Sequence, residues 1–407
     1  MSGFQAVKIS ERVYWVGAID WALRDFHGYS TSRGSTYNAY LIMGDEPILV
    51  DTVKAQFFPE MLARIKSIIE PEKIQYIISN HAEMDHSGAL PEISKIIHPK
   101  KIFASKVGVQ ALSDHFHFMH EITPVAHGEK LNLGNTNLSF IETKMLHWPE
   151  SMFTYFADEG ILFSQDAFGM HFATHELFSE QNDQAILREE AAKYYANILL
   201  PYSSLVLNLF KSLPSLNLKI KMVAPVHGPI WHREEDIEWI FGLWQKWAKQ
   251  EIYPKAVVVY DTMWQSTAKM AVAIADGIAS GNFDIAVKVL PLTGGAVKRS
   301  DIAFELLEAG VFIIGSPTLN QGIFPTVADL LCYLKGLKRK NLLGQVFGSY
   351  GWGSEATKIL QEELQKLAII PVAEPIIVRY VPTAEDLAKC FAAGKHIAKT
   401  LLQKIEI

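Results

Sequence analysis

The feature that most constrains the fold is a change in hydrophobic pattern near Pro254. Beyond this residue, short apolar runs rich in β-branched residues alternate regularly with helical stretches. Such alternation is typical of parallel strands joined by helices. The predicted strands are residues 256–260, 285–290, 311–314, 343–347 and 376–378. We therefore expect a five-stranded parallel α/β domain in the C-terminal part.

The part before about Phe241 shows a different pattern. Its apolar segments are short, β-rich and bounded by turn residues, which predicts an α+β domain dominated by sheets. These segments are residues 40–43, 48–50, 74–78, 138–141, 161–163 and 222–224. A helical stretch over 236–249 forms the connection, because Pro254 disfavours helix in the residue before it. We predict two domains, 1–252 and 253–407.

Composition limits the function classes. A length of 407 residues suits two domains, and a net charge of -6 provides no positive field for nucleic acid or anionic membranes. Neither a signal-like segment nor a run of about 20 apolar residues is present, so we expect a cytoplasmic protein without membrane spans. The two cysteines, Cys332 and Cys390, do not form a CxxC pair. Any bound metal must therefore be held by histidines and carboxylates.

Potential metal ligands follow several predicted strands. Four of them lie within one predicted loop, residues 81–86, and three more lie after other apolar runs. Because strand ends converge on one rim of a sheet, seven N/O donors can form a preorganised dinuclear site. Any one of these histidines alone is more often a packed core or surface residue, but the joint pattern favours metal binding. The candidates are His81, Glu83, Asp85, His86, His147, Asp166 and His227.

A second histidine cluster carries a weaker signal. His115, His117 and His120 follow an amphipathic stretch and have no accompanying carboxylates. We interpret them as surface or interface residues.

Three loops after strands of the C-terminal part predict a flavin site. The first is rich in hydroxyls and precedes a helix, so backbone N–H groups and hydroxyls can surround a phosphate. GxGxxG and GxxxxGK motifs are absent, which argues against a dinucleotide or a nucleoside triphosphate. The three loops meet at the switch point of a doubly wound sheet, resemble those of flavodoxin, and predict FMN. The candidates are Thr262, Met263, Trp264, Gln265, Ser266, Thr267, Ser316, Pro317, Thr318, Leu319, Asn320, Ser349, Tyr350, Gly351, Trp352 and Gly353.

The ligand run from His81 to His86, followed by His147, Asp166 and His227, resembles the metal signature of the metallo-β-lactamase superfamily, whose fold is an αββα sandwich. Hydrolases of that superfamily carry histidine where this chain has Glu83. A harder, anionic ligand favours iron over zinc and eases redox cycling. The Glu-bearing variant is similar to the flavodiiron proteins, also called A-type flavoproteins, and the resemblance extends over nearly all of the chain.

The resemblance implies roles for individual residues. One iron would be held by His81, Glu83 and His147, and the other by Asp85, His86 and His227, with Asp166 bridging both. Residues 25–29, 33–38 and 194–197 also match the family. By that resemblance the substrate pocket would be lined by His27, Tyr29, His171 and Tyr195. These four residues would supply protons or shape, although packed aromatics and a capped loop explain them equally well.

The implied activity is reduction of dioxygen to water, of nitric oxide to nitrous oxide, or of both. FMN hydroquinone holds two electrons and two ferrous ions hold one each, which equals the four that dioxygen needs. The chain ends at Ile407 without a fused rubredoxin, so we expect a separate donor such as rubredoxin or a reduced deazaflavin. The family resemblance also implies a head-to-tail homodimer, or a dimer of such dimers, with the flavin of one chain beside the irons of the other.

Two alternatives remain at the level of sequence. One is a dinuclear zinc hydrolase with a regulatory flavodoxin-like domain, since this fold mostly serves hydrolysis. The other is an electron carrier whose metal domain is structural. Residue spacing does not distinguish dioxygen from nitric oxide as the preferred substrate.

Overall fold

The computed structural model describes residues 3–117, 121–281, 284–295 and 297–406. The chain divides into two compact units. The first comprises Met1–His27, Thr31–Tyr194 and Ser204–Gln245, and the second comprises Gly28–Ser30, Tyr195–Ser203 and Lys246–Ile407. The domain boundary near residue 252 stays a prediction. Among the described residues, no helix is both long and apolar enough to cross a bilayer.

The strands before residue 226 are mostly three to five residues long. They are β1 (Val7–Lys8), β2 (Val13–Trp15), β3 (Ala18–Asp20), β4 (Asp25–Phe26), β5 (Tyr29–Ser30), β6 (Ser35–Tyr37), β7 (Tyr40–Ile42), β8 (Ile48–Val50), β9 (Tyr76–Ile78), β10 (Lys101–Ser105), β11 (Ile122–Val125), β12 (Lys130–Leu133), β13 (Thr136–Glu142), β14 (Met152–Phe156), β15 (Ile161–Gln165) and β16 (Met222–Pro225). The later strands are β17 (Lys255–Tyr260), β18 (Ala286–Pro291), β19 (Val311–Gly315), β20 (Leu343–Tyr350), β21 (Ile370–Pro371) and β22 (Ile376–Arg379).

The helices before residue 249 are α1 (Phe58–Lys66), α2 (Met84–Ser87), α3 (Leu90–Ile97), α4 (Lys106–Phe116), α5 (Gln184–Tyr194), α6 (Ser203–Ser212) and α7 (Glu234–Ala248). The later helices are α8 (Ser266–Ala279), α9 (Arg299–Leu307), α10 (Pro325–Leu337), α11 (Glu355–Lys366) and α12 (Ala384–Ile405). A π-helical turn, Tyr195–Leu199, continues directly from α5.

The first unit is built on two sheets. Their strand orders are β1-β2-β7-β8-β9-β10-β11 and β12-β13-β14-β15-β16. Alternate residues of each sheet point into a shared core, where the rings of Tyr40 and Phe163 lie 5.1 Å apart and those of Phe103 and Phe140 lie 6.5 Å apart. The apolar alternation along these strands thus places two sheets face to face.

Helices cover the outer face of each sheet. On the first sheet, Leu49 and Ile77 pack in one buried cluster with Ile65 of α1 and Ile93 of α3. On the second, the ring of Phe168 lies 6.4 Å from that of Phe153 in β14, 4.5 Å from that of Phe241 and 4.7 Å from that of Trp244, both in α7. The layers are therefore helix, sheet, sheet and helix, which confirms the predicted αββα sandwich.

The second unit contains a parallel sheet in the order β18-β17-β19-β20, with β21 and β22 both beside β20. All five predicted strands are present, and β21 adds only two residues. Helices α8 and α12 approach so closely that a Cβ on Gly277 would lie 2.1 Å from the carbonyl oxygen of Phe391. Only glycine fits there. The flavodoxin-like fold is confirmed.

Two short segments from the N-terminal part complete the second unit. The backbone N–H of Ser30 donates to the Ser300 hydroxyl at 3.0 Å. The Asn197 side chain donates to the Ser300 carbonyl at 3.1 Å and accepts from the Tyr333 hydroxyl at 2.7 Å. These bonds attach Gly28–Ser30 and Tyr195–Ser203 to α9 and α10.

Arg339 is hydrogen-bonded to residues near the start of Lys246–Ile407, the longest uninterrupted stretch of the second unit. Its buried guanidinium donates to the carbonyl oxygens of Gln250 at 2.8 Å, Glu251 at 2.9 Å and Leu306 at 3.1 Å. Burial lowers the pKa of Arg339 to about 10. The residues preceding β17 are therefore fixed by a buried cation.

Candidate metal centre and flavin site

The ends of four strands bring the predicted metal ligands together in the first unit. Asp166 directly follows β15, and His227 lies two residues after the parallel strand β16. His81 lies three residues after β9, and His147 lies in the loop between β13 and β14. The sheets thus act as a rigid frame for ligands that are far apart in sequence.

One detail of the prediction needs correction. Asp85 and His86 were expected in a loop, but both lie in the single-turn helix α2. A single turn is too short to show helical periodicity in a sequence. Both side chains are buried, so the turn directs two adjacent residues into the centre.

The first ligand group contains His81, Glu83, His147 and one oxygen of Asp166. The Nε2 atom of His81 lies 3.0 Å from Asp166 Oδ2 and 3.3 Å from Glu83 Oε2. The Nε2 atom of His147 lies 3.1 Å and 3.4 Å from the same two oxygens. The donor atoms of this group all lie within 4.8 Å of one another, as the ligands of one ion require.

The second group contains Asp85, His86 and His227. Asp85 Oδ2 lies 3.2 Å from His227 Nε2 and 3.4 Å from His86 Nε2. The Oδ1 atom of Asp166 lies 3.4 Å from His86 Nε2 and 3.6 Å from His227 Nε2. The two oxygens of Asp166 therefore face different groups, in the arrangement of a carboxylate that bridges two ions.

Unpaired buried atoms test whether metal ions fit this centre. Both ring nitrogens of His86 and Oδ1 of Asp85 are buried and make no hydrogen bond to any described residue. Burying such atoms without a partner is costly, and cations would satisfy them. A mixed set of imidazole and carboxylate donors suits iron. The residues fit a pair of iron ions.

The charges in the centre support one another. Burial alone would lower the pKa of His147, but hydrogen bonds to Asp166 and Glu83 raise it to about 9. Burial would raise the pKa of Glu83, but His147 and His81 hold it well below its usual value. Glu83 is therefore ionised, which is the form that binds a metal, whereas His147 has to release a proton when a metal ion binds.

Outer contacts orient two of the histidines. His81 Nδ1 lies 2.7 Å from Glu150 Oε1, and His227 Nδ1 lies 2.5 Å from the Thr36 carbonyl oxygen. Each contact turns the Nε2 atom toward the centre. Sequence reasoning missed Glu150, and its only signal was its place three residues after His147.

Of the predicted pocket residues, His171 lies beside the metal centre. Its ring is 4.5 Å from that of His227, and its Nδ1 is 2.8 Å from the Ser35 hydroxyl. Burial and the charge of His227 lower the pKa of His171 well below its usual value. His171 is therefore a neutral neighbour of the ligands.

The structure gives Tyr194, not Tyr195, the place beside this centre. The Tyr194 ring lies 5.2 Å from that of His171 and 6.1 Å from that of His227. Tyr195 lies in the second unit, where its hydroxyl is 3.2 Å from that of Ser203 and its ring packs on Trp247. Successive helical residues point in different directions, so only one of the two tyrosines can face the ligands.

The remaining histidine and tyrosine predictions are placed as follows. His27 is exposed and its ring contacts that of Phe26 at 4.5 Å, while Tyr29 is buried in β5 of the second unit. His117 is exposed at the end of α4, and the partly buried His115 contacts the Trp148 ring at 6.0 Å. His120 lies outside the described residues.

The predicted flavin loops surround a cavity of about 930 Å³ in the second unit. Its size suits a cofactor of this class. The side chains of Trp264 and Trp352 flank it and are 87% and 92% exposed, so both are available to stack on a flat ring. The predicted residues that line it are Met263, Trp264, Ser266, Pro317, Thr318, Asn320, Ser349, Tyr350, Gly351, Trp352 and Gly353.

The first loop has the features of an anion site. Thr262 Oγ1 is buried and makes no hydrogen bond within the described ranges, as expected of a group that awaits a ligand. Helix α8 begins at Ser266, and the hydroxyls of Thr267 and Ser349 lie 3.0 Å apart, which ties the first loop to the third. These groups fit the phosphate of FMN.

The lining differs from the prediction in both directions. Thr262, Gln265, Thr267, Ser316 and Leu319 belong to the loops but do not line the cavity. Four lining residues were missed: Gln321, Glu355, Tyr380 and Val381. Tyr380 and Val381 follow the fifth predicted strand, which is the signal that could have indicated them.

Comparisons with known proteins agree with both halves of the chain. Residues 36–228 match the family model described as "ODP family beta lactamase", and residues 258–394 match the flavodoxin model. A nitric oxide reductase from Moorella thermoacetica is 44% identical over 97% of this chain and 98% of its own length. A coenzyme F420H(2) oxidase from Methanothermobacter marburgensis is 41% identical over 97% and 98%, respectively.

A solved structure, rubredoxin oxygen:oxidoreductase from Desulfovibrio gigas, matches with a TM-score of 0.96 and 40% identity, covering 99% of this chain and 100% of that one. All three relatives are named as oxidoreductases, so the zinc hydrolase alternative is not favoured. With similarity at this level over both units, the chain belongs to the flavodiiron proteins, which are oxidoreductases that use a diiron centre and FMN.

Proposed function

We propose that this protein reduces dioxygen to water, nitric oxide to nitrous oxide, or both, with electrons that pass through FMN to a diiron centre. One observation carries the proposal: the two oxygens of Asp166 face two separate ligand groups, each with its own carboxylate, Glu83 or Asp85. Two adjacent ions held in this way are suited to a small diatomic substrate.

The two ligand groups support an assignment of individual ligands. We assign one iron to His81, Glu83 and His147, the other to Asp85, His86 and His227, and the bridge to Asp166. When bound, the iron pair and FMN supply the electrons and the coordination positions for the gas. Three carboxylates balance the positive charge of the ions, while Glu150 and the Thr36 carbonyl hold two imidazole rings in place.

Tyr194 and His171 are the proposed pocket residues. Burial and the charge of Asp166 raise the pKa of Tyr194 well above its usual value, so its hydroxyl keeps its proton. His171 keeps a neutral ring beside it. A hydroxyl and a neutral imidazole near the ligands can donate hydrogen bonds to a reduced gas without adding charge to the centre.

In the second unit we assign the flavin phosphate to the loop around Thr262 and Ser266, and the ring system to the cavity beside Trp264 and Trp352. The electron donor is a separate carrier, either a rubredoxin or a reduced deazaflavin, in line with the names of two relatives. The domain boundary near residue 252, a cytoplasmic location and a head-to-tail homodimer are kept as further proposals.

The test uses purified protein that contains iron and FMN. The protein is reduced anaerobically and mixed with dioxygen or with nitric oxide in a single turnover, while flavin absorbance and product are recorded. We expect rapid oxidation by at least one gas, with water or nitrous oxide as the product. Reduced protein that both gases fail to oxidise would refute the proposal. Zinc in place of iron would support the hydrolase instead.

A further inference from the structure

The two ligand groups differ in the atoms that support their histidines. His81 donates its Nδ1 proton to Glu150 Oε1 at 2.7 Å. The corresponding atom of His227 faces the neutral carbonyl oxygen of Thr36 at 2.5 Å. Nδ1 of His86 has no hydrogen-bond partner within the part of the chain that the structure describes. In the first group, a carboxylate therefore accepts the Nδ1 proton of a ligand histidine. In the second group, no charged side chain of a described residue is hydrogen-bonded to Nδ1 of His86 or His227.

Burial and hydrogen bonds fix the position of the Glu150 side chain. Its side chain is only 2% exposed, and Oε1 also accepts the backbone N–H of Ala82 at 2.9 Å. Its own carbonyl accepts the hydroxyl of Ser105 at 2.6 Å, which fixes the backbone between the ends of β10 and β14. A carboxylate oxygen that accepts two N–H donors in this way is stabilised in its anionic form. Glu150 is thus a fixed anion behind one ligand.

The other carboxylates that contact the ligand nitrogens are matched between the two groups, and the buried Asp51 is near one histidine of each, His86 and His81. Each group has one carboxylate of its own, Glu83 or Asp85, and Asp166 provides one oxygen to each. A carboxylate that accepts the outer proton of an imidazole makes that ring a more basic ligand. A more basic ligand stabilises the higher charge of a ferric ion over a ferrous one. The imbalance between the groups is therefore the charge of Glu150.

We propose that Glu150, acting through His81, determines which metal loses its electron first: the ion held by His81, Glu83 and His147. When one electron passes from the reduced pair to an oxidant, the ferric ion is located in this group and the ferrous ion stays in the second group. Glu150 is a positioning residue in this role, since it touches the ligand and not the metal. The inference rests on the proposed function, because it requires iron in both groups.

The test compares the wild type with Glu150→Gln, which keeps the shape of the side chain and removes its charge. Wild-type protein is first checked for two irons and for oxidation by either gas, so that failure of the proposed function is seen before any variant is measured. Each protein is then titrated anaerobically with ferricyanide, which accepts one electron per step, and the mixed-valent state is followed by electron paramagnetic resonance.

In the wild type we expect two well-separated reduction potentials, one for each iron, and a large electron paramagnetic resonance signal from the mixed-valent state. Glu150→Gln should lower the ferric preference of the first position about tenfold, the lower end for an outer-shell change, which raises its potential by about 59 mV. The two potentials then approach each other and the mixed-valent signal falls. Glu92→Gln, an exposed charge on α3, should leave both unchanged. Unchanged potentials in an iron-loaded Glu150→Gln variant would overturn the proposal.

A second measurement covers the case in which Glu150→Gln fails to fold or load. Ser35→Ala removes a hydroxyl that lies 3.2 Å from His227 Nδ1 and 2.8 Å from His171 Nδ1, and among the described residues this hydroxyl makes no hydrogen bond to a ligand of the first group. In the half-oxidised, ⁵⁷Fe-loaded protein, Mössbauer spectra resolve the ferric and ferrous ions. We expect Ser35→Ala to shift the ferrous doublet and to leave the ferric doublet in place. A shift of the ferric doublet alone would place the ferric ion in the second group and contradict the proposal.

Discussion

Nε2 of His86 lies 3.4 Å from Oδ1 of Asp166, and neither ring nitrogen of His86 has a hydrogen-bond partner among the described residues. A buried imidazole in this state is suited to ligation. We expect His86→Asn to weaken binding of the second iron by more than about 100-fold, beyond the effect of removing a residue that only supports a ligand, and to leave the first iron in place. A titration of metal-free protein with ferrous ion, followed by iron analysis, measures this loss.

His98→Asn is the matched control for this variant. His98 is exposed at the end of α3 with a φ of 48°, a conformation that asparagine tolerates. It should bind two irons as the wild type does. Equal iron content in His86→Asn and His98→Asn under limiting metal would show that His86 is not a ligand.

The buried hydroxyl of Thr262 gives a prediction for the flavin site. Thr262→Val keeps the side-chain shape and removes the group that we assign to the phosphate. A hydrogen bond to a charged group contributes about 1.5–3 kcal/mol, so FMN binding should weaken about 10–150-fold. Riboflavin has no phosphate and provides the control. Fluorescence titration of the apoprotein should show a much smaller change for riboflavin, whereas equal losses for both would contradict the phosphate assignment.

The exposed indole rings of Trp264 and Trp352 predict stacking on the flavin ring. Mutating either one to alanine should weaken FMN binding by about 0.5–1.5 kcal/mol, in addition to the energy lost with the buried apolar area. The mutation should also raise the fluorescence of the flavin that remains bound. Trp21→Ala provides the control, since Trp21 is half exposed in the first unit beside His175. The stacking assignment fails if Trp352→Ala and Trp264→Ala bind FMN as Trp21→Ala does.

Adjacent tyrosines allow a direct comparison of the two candidate pocket positions. Tyr194→Phe removes the hydroxyl whose pKa the nearby charge of Asp166 raises, on a ring 6.1 Å from that of His227, so we expect oxidation by the gas to slow about 10–100-fold. Tyr195→Phe removes the hydroxyl beside Ser203, so we expect a loss of about 1 kcal/mol of stability and a nearly normal rate. Stopped-flow rates and thermal unfolding measure the two effects. A larger rate effect at Tyr195 would reverse the assignment.

Arg339 provides a prediction about stability. Arg339→Gln leaves several buried carbonyls in the second unit without their donor, which should cost about 3 kcal/mol or more and lower the Tm of that unit by roughly 6–12 °C. Lys335→Gln, an exposed change on α10, should shift the Tm by less than about 1 °C. Calorimetry distinguishes the two. A Tm for Arg339→Gln close to that of the control would show that water replaces the guanidinium at little cost.

The sequence predicted the strand ends well, because buried strands carry strong apolar patterns bounded by turns. The positions of Asp166 and His227 at one rim therefore follow from the apolar pattern alone. The turn of α2 could not be predicted, since Met84–Ser87 is too short to carry a period. The sequence also does not distinguish Tyr194 from Tyr195, because the difference depends on which way each helical residue faces and not on composition.

Contacts between distant segments were beyond sequence reasoning for a related reason. Glu150 lies 69 residues after His81 in the sequence but accepts a hydrogen bond from its ring. This contact depends on the register between two strand ends. Tyr380 and Val381 reach the flavin cavity from a loop that lacks the hydroxyls and glycines of the other three. A pattern of residue types shows where a ligand can bind, but it does not show which neighbouring segments complete the site.

The discontinuous course of the second unit affects how the protein can be made and divided. Gly28–Ser30 and Tyr195–Ser203 leave the ribosome before any strand of the parallel sheet exists, so they must wait for α9 and α10 to be synthesised. A cut at residue 252 would remove both pieces from the flavodoxin-like unit, and with them the groups to which Ser300 and Tyr333 are hydrogen-bonded in the intact chain. Grafting this unit onto another enzyme thus requires transplanting three stretches of sequence together.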